Sequence, residues 1–398
     1  MGISITRENF AMSKFQFRPA AFKMIFFIYI LSTFFFSLLY VLPISHKQPL
    51  GFVDAFFLSA SSISATGLTT FTVANTLTLA GKLILLIQME FGGISIMALV
   101  GALLILLRTN APVPSQTLMI FDQNQNSSRS ISKLMSFIVT YTIAVKTAGF
   151  LLILPSALEN GSSAFAAFFL SVSTFTNAGF EIFGNGLDDF KGKPFVLFVL
   201  SCMIILGVLG FAVVMELLHS RRKKKSLYFK VNVLMHLVLL AAGFLFFFLA
   251  DFINMPGFSW KERIVQSLFF SAAPRSGGLA SLDLHLFSFP SLLFMMVLMF
   301  IGGSPSSCAG GIRTTTFAVI LAKLWFTIRG SNNAHMFRRT LFTEDVNKAF
   351  LVFFSFLFIF FTSFFVLSFT EKAPPFALAF ETMSALTTCG FLWGSRPG

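Results

Sequence analysis

Charge is scarce in this chain. Asp, Glu, Lys and Arg make up 11% of its 398 residues, against roughly 25% in soluble domains, which excludes an ordinary water-soluble globule. Cysteine is scarcer still. Cys202, Cys308 and Cys389 lie far apart, two of them inside apolar runs, so neither a disulfide framework nor a thiolate metal site is supported. The five histidines (His46, His219, His236, His285, His335) are equally scattered. A membrane-embedded enzyme needs Asp, Glu or His clustered on facing helices or loops; no such cluster is written here, and neither catalysis nor a cofactor is expected. What the chain has is apolar mass: 56% hydrophobic residues and 57 phenylalanines, with a mean hydropathy of +0.82. That is the composition of an integral membrane protein whose solvent is the lipid bilayer.

The net charge of +13 is placed for a membrane rather than for nucleic acid, and no nucleic-acid partner is expected. Lys and Arg gather in alternate segments: Arg7 to Lys23, Arg108 to Lys133, Arg221 to Lys230 and Lys323 to Lys348. The segments between them are mixed or acidic, as at Glu181, Asp188 and Asp189. Basic residues on alternate loops are the positive-inside pattern, which puts the N-terminus and these loops in the cytoplasm of a multi-pass cell-membrane protein. The first apolar run is long enough to span and has no small-residue cleavage site after it, so it is expected to remain a spanning helix.

Long apolar runs lie near 24–43, 81–107, 131–155, 194–218, 231–253, 288–322 and 349–369, each near the 20 or so residues that a spanning helix needs. Between alternate pairs lie shorter ones, about 52–63, 162–175, 264–273 and 374–386. These are too short to cross a core of about 30 Å and read as re-entrant helices. Each short run ends in a small-polar stretch with a glycine before Leu or Phe: Gly67, Gly179, Gly278 and Gly390, spaced 112, 99 and 112 residues apart. Such recurrence is a statement about architecture. The expected fold is an all-α integral membrane protein of four pseudo-repeats, each helix–re-entrant pore helix–helix, around a central pore. Its division is a cytoplasmic N-terminus (1–23), units over 24–107, 131–218, 231–322 and 349–398, and cytoplasmic connections over 108–130, 219–230 and 323–348. No apolar run follows Gly390, so the last helix of the fourth unit is expected to be missing.

The chemistry follows from the repeats. A dehydrated monovalent cation is held by rings of backbone carbonyls, and turning successive carbonyls one way needs left-handed backbone that glycine adopts freely. The candidate ion-binding ring is therefore Thr66, Gly67, Ala178, Gly179, Gly277, Gly278, Cys389 and Gly390, with Ser64, Thr66, Thr176 and Thr388 adding hydroxyl oxygens or bracing the loop from behind. The C-terminal dipoles of the short helices favour a cation over an anion. Membrane helices also use Gly and Ser for close packing; four matching stretches favour the pore. A second feature interrupts the run over 288–322: Gly302, Gly303, Ser304, Pro305, Gly310 and Gly311, followed by Arg313. A helix cannot continue through these residues, and a loop at mid-depth in one unit is a natural gate over 301–313, with Arg313 tethering it. The loop lacks the Gly-Lys-Ser/Thr ending of a phosphate-binding loop.

Ionisable groups near the pore are costly. A cation about 4 Å from Arg275 would be repelled by about 4 kcal/mol at an effective dielectric of 20. Arg275 is therefore expected to turn from the axis and pair with Asp283, Glu262 or Glu381. Lys146 is expected to find a carboxylate or helix-end carbonyls.

The four stretches 64–70 (Ser-Ala-Thr-Gly-Leu-Thr-Thr), 176–180 (Thr-Asn-Ala-Gly-Phe), 275–279 (Arg-Ser-Gly-Gly-Leu) and 384–391 (Ser-Ala-Leu-Thr-Thr-Cys-Gly-Phe), with the loop from Gly302 to Thr316 and with Gln88, Gly92 and Gly93, resemble the membrane subunits of the Trk/Ktr/HKT potassium transporters, the bacterial KtrB and TrkH type above all. The resemblance implies K+ as the transported ion at the filter glycines, Na+ as a co-ion or regulator, a bacterial inner membrane, a homodimer and a cytosolic ring of nucleotide-binding regulatory subunits. Gly67 favours potassium, since plant relatives with Ser there carry sodium. The third stretch departs from the pattern: Ser276-Gly277 and Leu279 stand where Thr-Ala and Phe are usual, and a loosened strand is expected. Two alternatives stay open at this point, a sodium-conducting or poorly selective cation transporter and a non-conducting truncated remnant.

Overall fold

In the computed structural model, residues 19–94, 128–219, 225–331, 333–337 and 339–393 are described. Most of the N-terminal segment, residues 95–107 of the second expected span, most of the 108–130 connection and the basic residues Arg221 to Lys224 lie outside them.

The first unit comprises α1 (Pro19–Val41), α2 (Phe52–Ile63), the single turn α3 (Val73–Thr76) and α4 (Leu79–Gly93). The second comprises α5 (Ser128–Glu159), α6 (Ala164–Phe175), α7 (Pro194–Val208) and α8 (Phe211–His219). The third comprises α9 (Leu227–Ala250), α10 (Trp260–Ala272), α11 (Phe289–Phe300) and α12 (Thr314–Ile328). α13 (Thr343–Thr370) and α14 (Pro375–Leu386) follow a two-stranded hairpin, β1 (His335–Met336) and β2 (Arg339–Thr340). Four of these helices, in α1, α5, α9 and α13, are long and apolar enough by themselves to cross a membrane.

Local chemistry sets the helix starts. Side chains of Thr78, Ser163, Ser226 and Ser259 accept from first-turn N–H groups, and Ser259 with Glu262 forms a reciprocal capping box. Proline opens α7 and α14, where its missing N–H costs nothing. Away from their ends and from Pro155 in α5, the helices pair their backbone groups internally, the condition for crossing lipid. The outward faces are apolar: on α13, Phe358 and Phe369 are 73% and 77% exposed.

The packing repeats with the sequence. Each pore helix lies against the first helix of its own unit: α2 on α1, α6 on α5, α10 on α9 and α14 on α13. The outgoing helix of one unit also packs on the pore helix of the next: α4 on α6, α7 on α10, α11 on α14. A serine ties three of the first pairs. Ser59 Oγ donates to Thr33 O (2.7 Å), Ser171 Oγ to Lys146 O (2.6 Å) and Ser271 Oγ to Leu240 O (2.7 Å). These serines stand eight, eight and seven residues before Gly67, Gly179 and Gly278.

Two expectations need correction. The run over 194–218 is not one helix; α7 and α8 meet at 99°. The cause is Gly210, at φ +87°, where a Cβ would lie 2.9 Å from both Pro305 O and Ser304 Cβ. The chain turns there to make room for the loop of the third unit. The expected connection over 323–348 is also partly regular: α12 runs to Ile328, and α13 begins at Thr343, with Glu344 and Asp345 in its first turn, where the helix dipole favours acids.

Candidate functional site

Three of the pore helices end four residues before their glycines, at Ile63, Phe175 and Leu386, and α10 ends at Ala272, six before Gly278. The first, second and fourth turn out of the helix in the same way. Thr66 N donates to Ser61 O (2.8 Å) and Ala65 N to Ser62 O (3.1 Å); Ala178 N to Ser173 O (2.9 Å) and Asn177 N to Thr174 O (3.3 Å); Cys389 N to Ser384 O (2.8 Å) and Thr388 N to Ala385 O (3.1 Å). This is the paired helix-ending hydrogen bond that requires a left-handed residue. In the third unit Gly277 N donates to Ala273 O (2.7 Å), a tighter closure. The hydroxyls of Ser61, Ser173 and Ser384, all six residues before a glycine, are buried and make no hydrogen bond among the described residues; the third unit has Ala272 there.

The backbone then alternates. Left-handed φ occurs at Ala65 (52°) and Gly67 (89°), Asn177 (54°) and Gly179 (72°), Ser276 (88°) and Gly278 (64°), Thr388 (52°) and Gly390 (90°). Alternating handedness flips successive peptide planes and turns neighbouring carbonyls to one side, as a carbonyl-lined pore requires. Sequence reasoning anticipated the four glycines and missed the residues two before them. Left-handed backbone costs a non-glycine residue roughly 1–2 kcal/mol, and in three of the four units the helix-ending hydrogen bonds hold it.

The four glycines meet. A Cβ on Gly67 would lie 2.6 Å from Ala178 O; on Gly179, 3.0 Å from Gly278 Cα; on Gly278, 2.5 Å from Cys389 O; and on Gly390 it would overlap Thr66 O. First touches second, second third, third fourth, and fourth first. The carbonyls at these contacts belong to Thr66, Ala178 and Cys389, each immediately before a glycine. Gly277 occupies that position in the third unit, where a Cβ would lie 3.0 Å from Ala273 O and from Ile204 Cδ1. Glycines on the outgoing helices support the ring from behind. A Cβ on Gly92 would lie 2.6 Å from Ile63 O, one on Gly93 2.5 Å from Thr176 Cβ, and one on Gly207 2.7 Å from Asn177 Nδ2. Gln88, fully buried in α4, accepts from Tyr40 Oη (2.8 Å) and donates to Ser59 Oγ (2.7 Å), which joins α1, α2 and α4.

α11 stops at Phe300, and residues 301–313 form a closed loop. Gly302 N donates to Ile312 O and Ile312 N to Phe300 O, both at 3.0 Å. The two arms touch so closely that a Cβ on Gly302 would overlap Gly310 O. The loop is pinned to the second unit by Ser304 N to Val208 O (3.1 Å), Cys308 N to Gly207 O (3.1 Å) and Phe211 N to Ser306 O (2.9 Å). Tyr228 Oη donates to Pro305 O (2.8 Å) from α9. Arg313 reaches back to the Ser304 and Ala309 carbonyls. A Cβ on Gly303 would lie 2.6 Å from Ala309 Cβ and one on Gly311 2.8 Å from Met299 O, so four glycines of the loop face backbone or side chain directly.

Arg275 is buried, and its partners differ from the expected carboxylates. Its Nη2 lies 2.5 Å from His236 Nδ1 and 3.3 Å from Gly302 O, and the other imidazole nitrogen lies 2.8 Å from Ser304 Oγ. An arginine has no acceptor, so His236 Nδ1 accepts and Nε2–H donates to the serine. Asp283 instead accepts from His285 N (3.0 Å) and Glu262 caps α10; Glu381 is half-buried on α14. A scattered histidine gave no sequence signal for this role. Lys146 meets the expectation: Nζ contacts both oxygens of Glu90, at 2.6 and 2.5 Å.

The arrangement has known counterparts. The family model described as TrkH, cation transport protein, matches residues 5–397. The chain is 36% identical over 366 residues to the Ktr system potassium uptake protein D of Bacillus subtilis, which covers 89% of this chain and 81% of that protein. It is 31% identical over 369 residues to the Ktr system potassium uptake protein B of the same organism, with 91% and 83% covered. The crystal structure of the potassium transporter TrkH from Vibrio parahaemolyticus shares the fold, with a TM-score of 0.72 at 17% identity over 95% of this chain and 77% of that one. With helices long and apolar enough to cross a bilayer several times and a family model matching nearly its whole length, this chain is a multi-pass membrane protein of the TrkH family of cation transport proteins.

Proposed function

We propose that this chain is a potassium-translocating pore subunit that passes dehydrated K+ down its electrochemical gradient. The observation that carries the reading is the closed contact of Gly67, Gly179, Gly278 and Gly390, with carbonyls of the preceding residues at the contacts. Carbonyl oxygens replace the hydration shell of a K+ ion without a full counter-charge, and four pore-helix C-termini aimed at one place add negative potential. Thr66, Ala178, Gly277 and Cys389 supply the oxygens in this reading. The loop over 301–313 is the gate, held by Arg313, and Arg275 is a structural brace between filter and loop. Asp283 and Glu381 act structurally near the filter rather than on the ion.

The protein sits in the cell membrane, a bacterial inner membrane, with its N-terminus and basic connections in the cytoplasm. It works as a homodimer on a cytosolic ring of nucleotide-binding regulatory subunits, for which the basic connections are the natural contact, and Na+ is a co-ion or regulator. The relatives named as potassium uptake proteins support K+ as the cargo. The test is ion-competition flux in liposomes: selective Rb+ and K+ uptake over Na+ is expected. Equal Na+ and K+ permeation would overturn the potassium assignment, and absence of any cation flux would overturn the pore.

A further inference from the structure

We propose that Ser276 is a positioning residue of the pore, the joint through which the 301–313 loop acts on the third and fourth filter strands. The inference rests on the pore reading above. Ser276 is 2% exposed and sits at φ +88°, a conformation that serine adopts at a cost. Its Oγ donates to Thr388 O (3.0 Å) and accepts from Gly310 N (3.1 Å). A hydroxyl has one hydrogen and two lone pairs, so both bonds form at once and neither partner is displaced by the other. One end of the joint is the carbonyl just before Cys389, whose own carbonyl closes on Gly278. The other end is the loop, where Gly310 lies against Thr387 O and Thr388 Oγ1 so closely that a Cβ would overlap both. Cys389 Sγ, 3.2 Å from Pro274 O, ties the same seam a second time.

The other half of the ring is built differently. The residues equivalent to Ser276 are Ala65 and Asn177. The hydroxyls beside them bond within their own strand or helix, Ser64 Oγ to Thr66 Oγ1 (2.7 Å) and Thr176 Oγ1 to Val172 O (2.8 Å). Thus the third strand, whose unusual sequence suggested a looser filter, is the one bonded both to its neighbour and to the loop. Lifting the loop takes the Gly310 N–H from Ser276, so the hydroxyl that donates to Thr388 O loses one of its two anchors and the polarisation that strengthens the remaining bond. Loop position and carbonyl orientation at the third–fourth seam are therefore coupled.

The experiment compares Ser276→Ala and Ser276→Gly with wild type and with Ser267→Ala, in the full chain reconstituted in liposomes. Ser267 donates only to Arg263 O within α10. Ser276→Gly removes the hydroxyl while relieving the positive φ, so a folding defect cannot explain a change common to both variants. Two readouts are taken, resting Rb+ flux with its Rb+/Na+ ratio, and amide hydrogen exchange over 302–313. Both Ser276 variants are expected to exchange faster in the loop, to pass about tenfold more Rb+ at rest, as loss of two ordinary hydrogen bonds allows, and to lose Rb+/Na+ discrimination. Ser267→Ala is expected to match wild type. Unchanged loop exchange would overturn the joint. Faster exchange with resting flux and ion ratio as in wild type would overturn its coupling to the filter. A wild-type protein that carries no cation would overturn the pore reading instead, and the exchange measurement would still decide whether Ser276 holds the loop.

Discussion

At Gly67 a missing side chain matters for two separable reasons: φ is +89°, and a Cβ would stand 2.6 Å from Ala178 O. Serine at this position brings both a strained backbone, at roughly 1–2 kcal/mol, and an atom pressing on a carbonyl of the next strand. Gly67→Ser is expected to fold, and to shift the Rb+/Na+ flux ratio toward one in liposomes; a ratio equal to wild type would detach Gly67 from selectivity. A second residue-scale prediction concerns Lys146 and Glu90, whose side chains are 9% and 24% exposed. Removing one member of a buried ion pair leaves an uncompensated charge and costs about 3–5 kcal/mol, whereas replacing both by apolar groups is often neutral. Lys146→Met should lower the thermal unfolding midpoint in detergent, and Lys146→Met with Glu90→Met should recover most of the loss. Equal midpoints for the single and double variants would show that the pair is not coupled.

Among the elements, the broken helices carry the most information. The α11–α12 break was legible from Gly302, Gly303, Pro305, Gly310 and Gly311, because four glycines and a proline cannot continue a helix. The α7–α8 break was not: Gly207 and Gly210 are isolated glycines in a long apolar run, a pattern that helices tolerate. It bends where the loop of another unit stands so close that a Cβ on Gly210 would lie 2.9 Å from Pro305 O. The two breaks form one contact, so they should move together. Gly302→Ala forces the two arms of the loop apart, since its Cβ cannot coexist with Gly310 O. The expected outcome is several-fold higher resting Rb+ flux together with faster amide exchange at Ser304, Cys308 and Phe211, which are bonded across the α7–α8 break. Wild-type exchange at Phe211 in a leaky variant would show that the bend does not depend on the loop.

For the whole molecule, the consequence is that one ring of contacting glycines, the proposed ion site, is assembled from four distant stretches of chain. An ion that binds only the assembled ring stabilises the folded state by mass action, by about 2.7 kcal/mol at a concentration 100 times its dissociation constant. The unfolding midpoint should therefore rise with K+ concentration and rise less with Na+. Equal midpoints in K+, Na+ and choline would count against a K+-binding ring.

The sequence alone determined the solvent, the alternation of long and short apolar helices and the recurring glycine. Low charge and long apolar runs leave only membrane-spanning structure, because a backbone in lipid must bond to itself, and the glycine at the end of each short run marks where the helix gives way. Tertiary structure decided what depends on partners far apart in the chain. It assigned Arg275 to His236 and Gly302 rather than to a carboxylate, bent the run over 194–218, and brought Ser276 between Thr388 and Gly310. Hydrogen bonds spanning 27 to 112 residues leave no local pattern, since a lone histidine or serine reads the same in sequence whether it faces a carbonyl or fills a core.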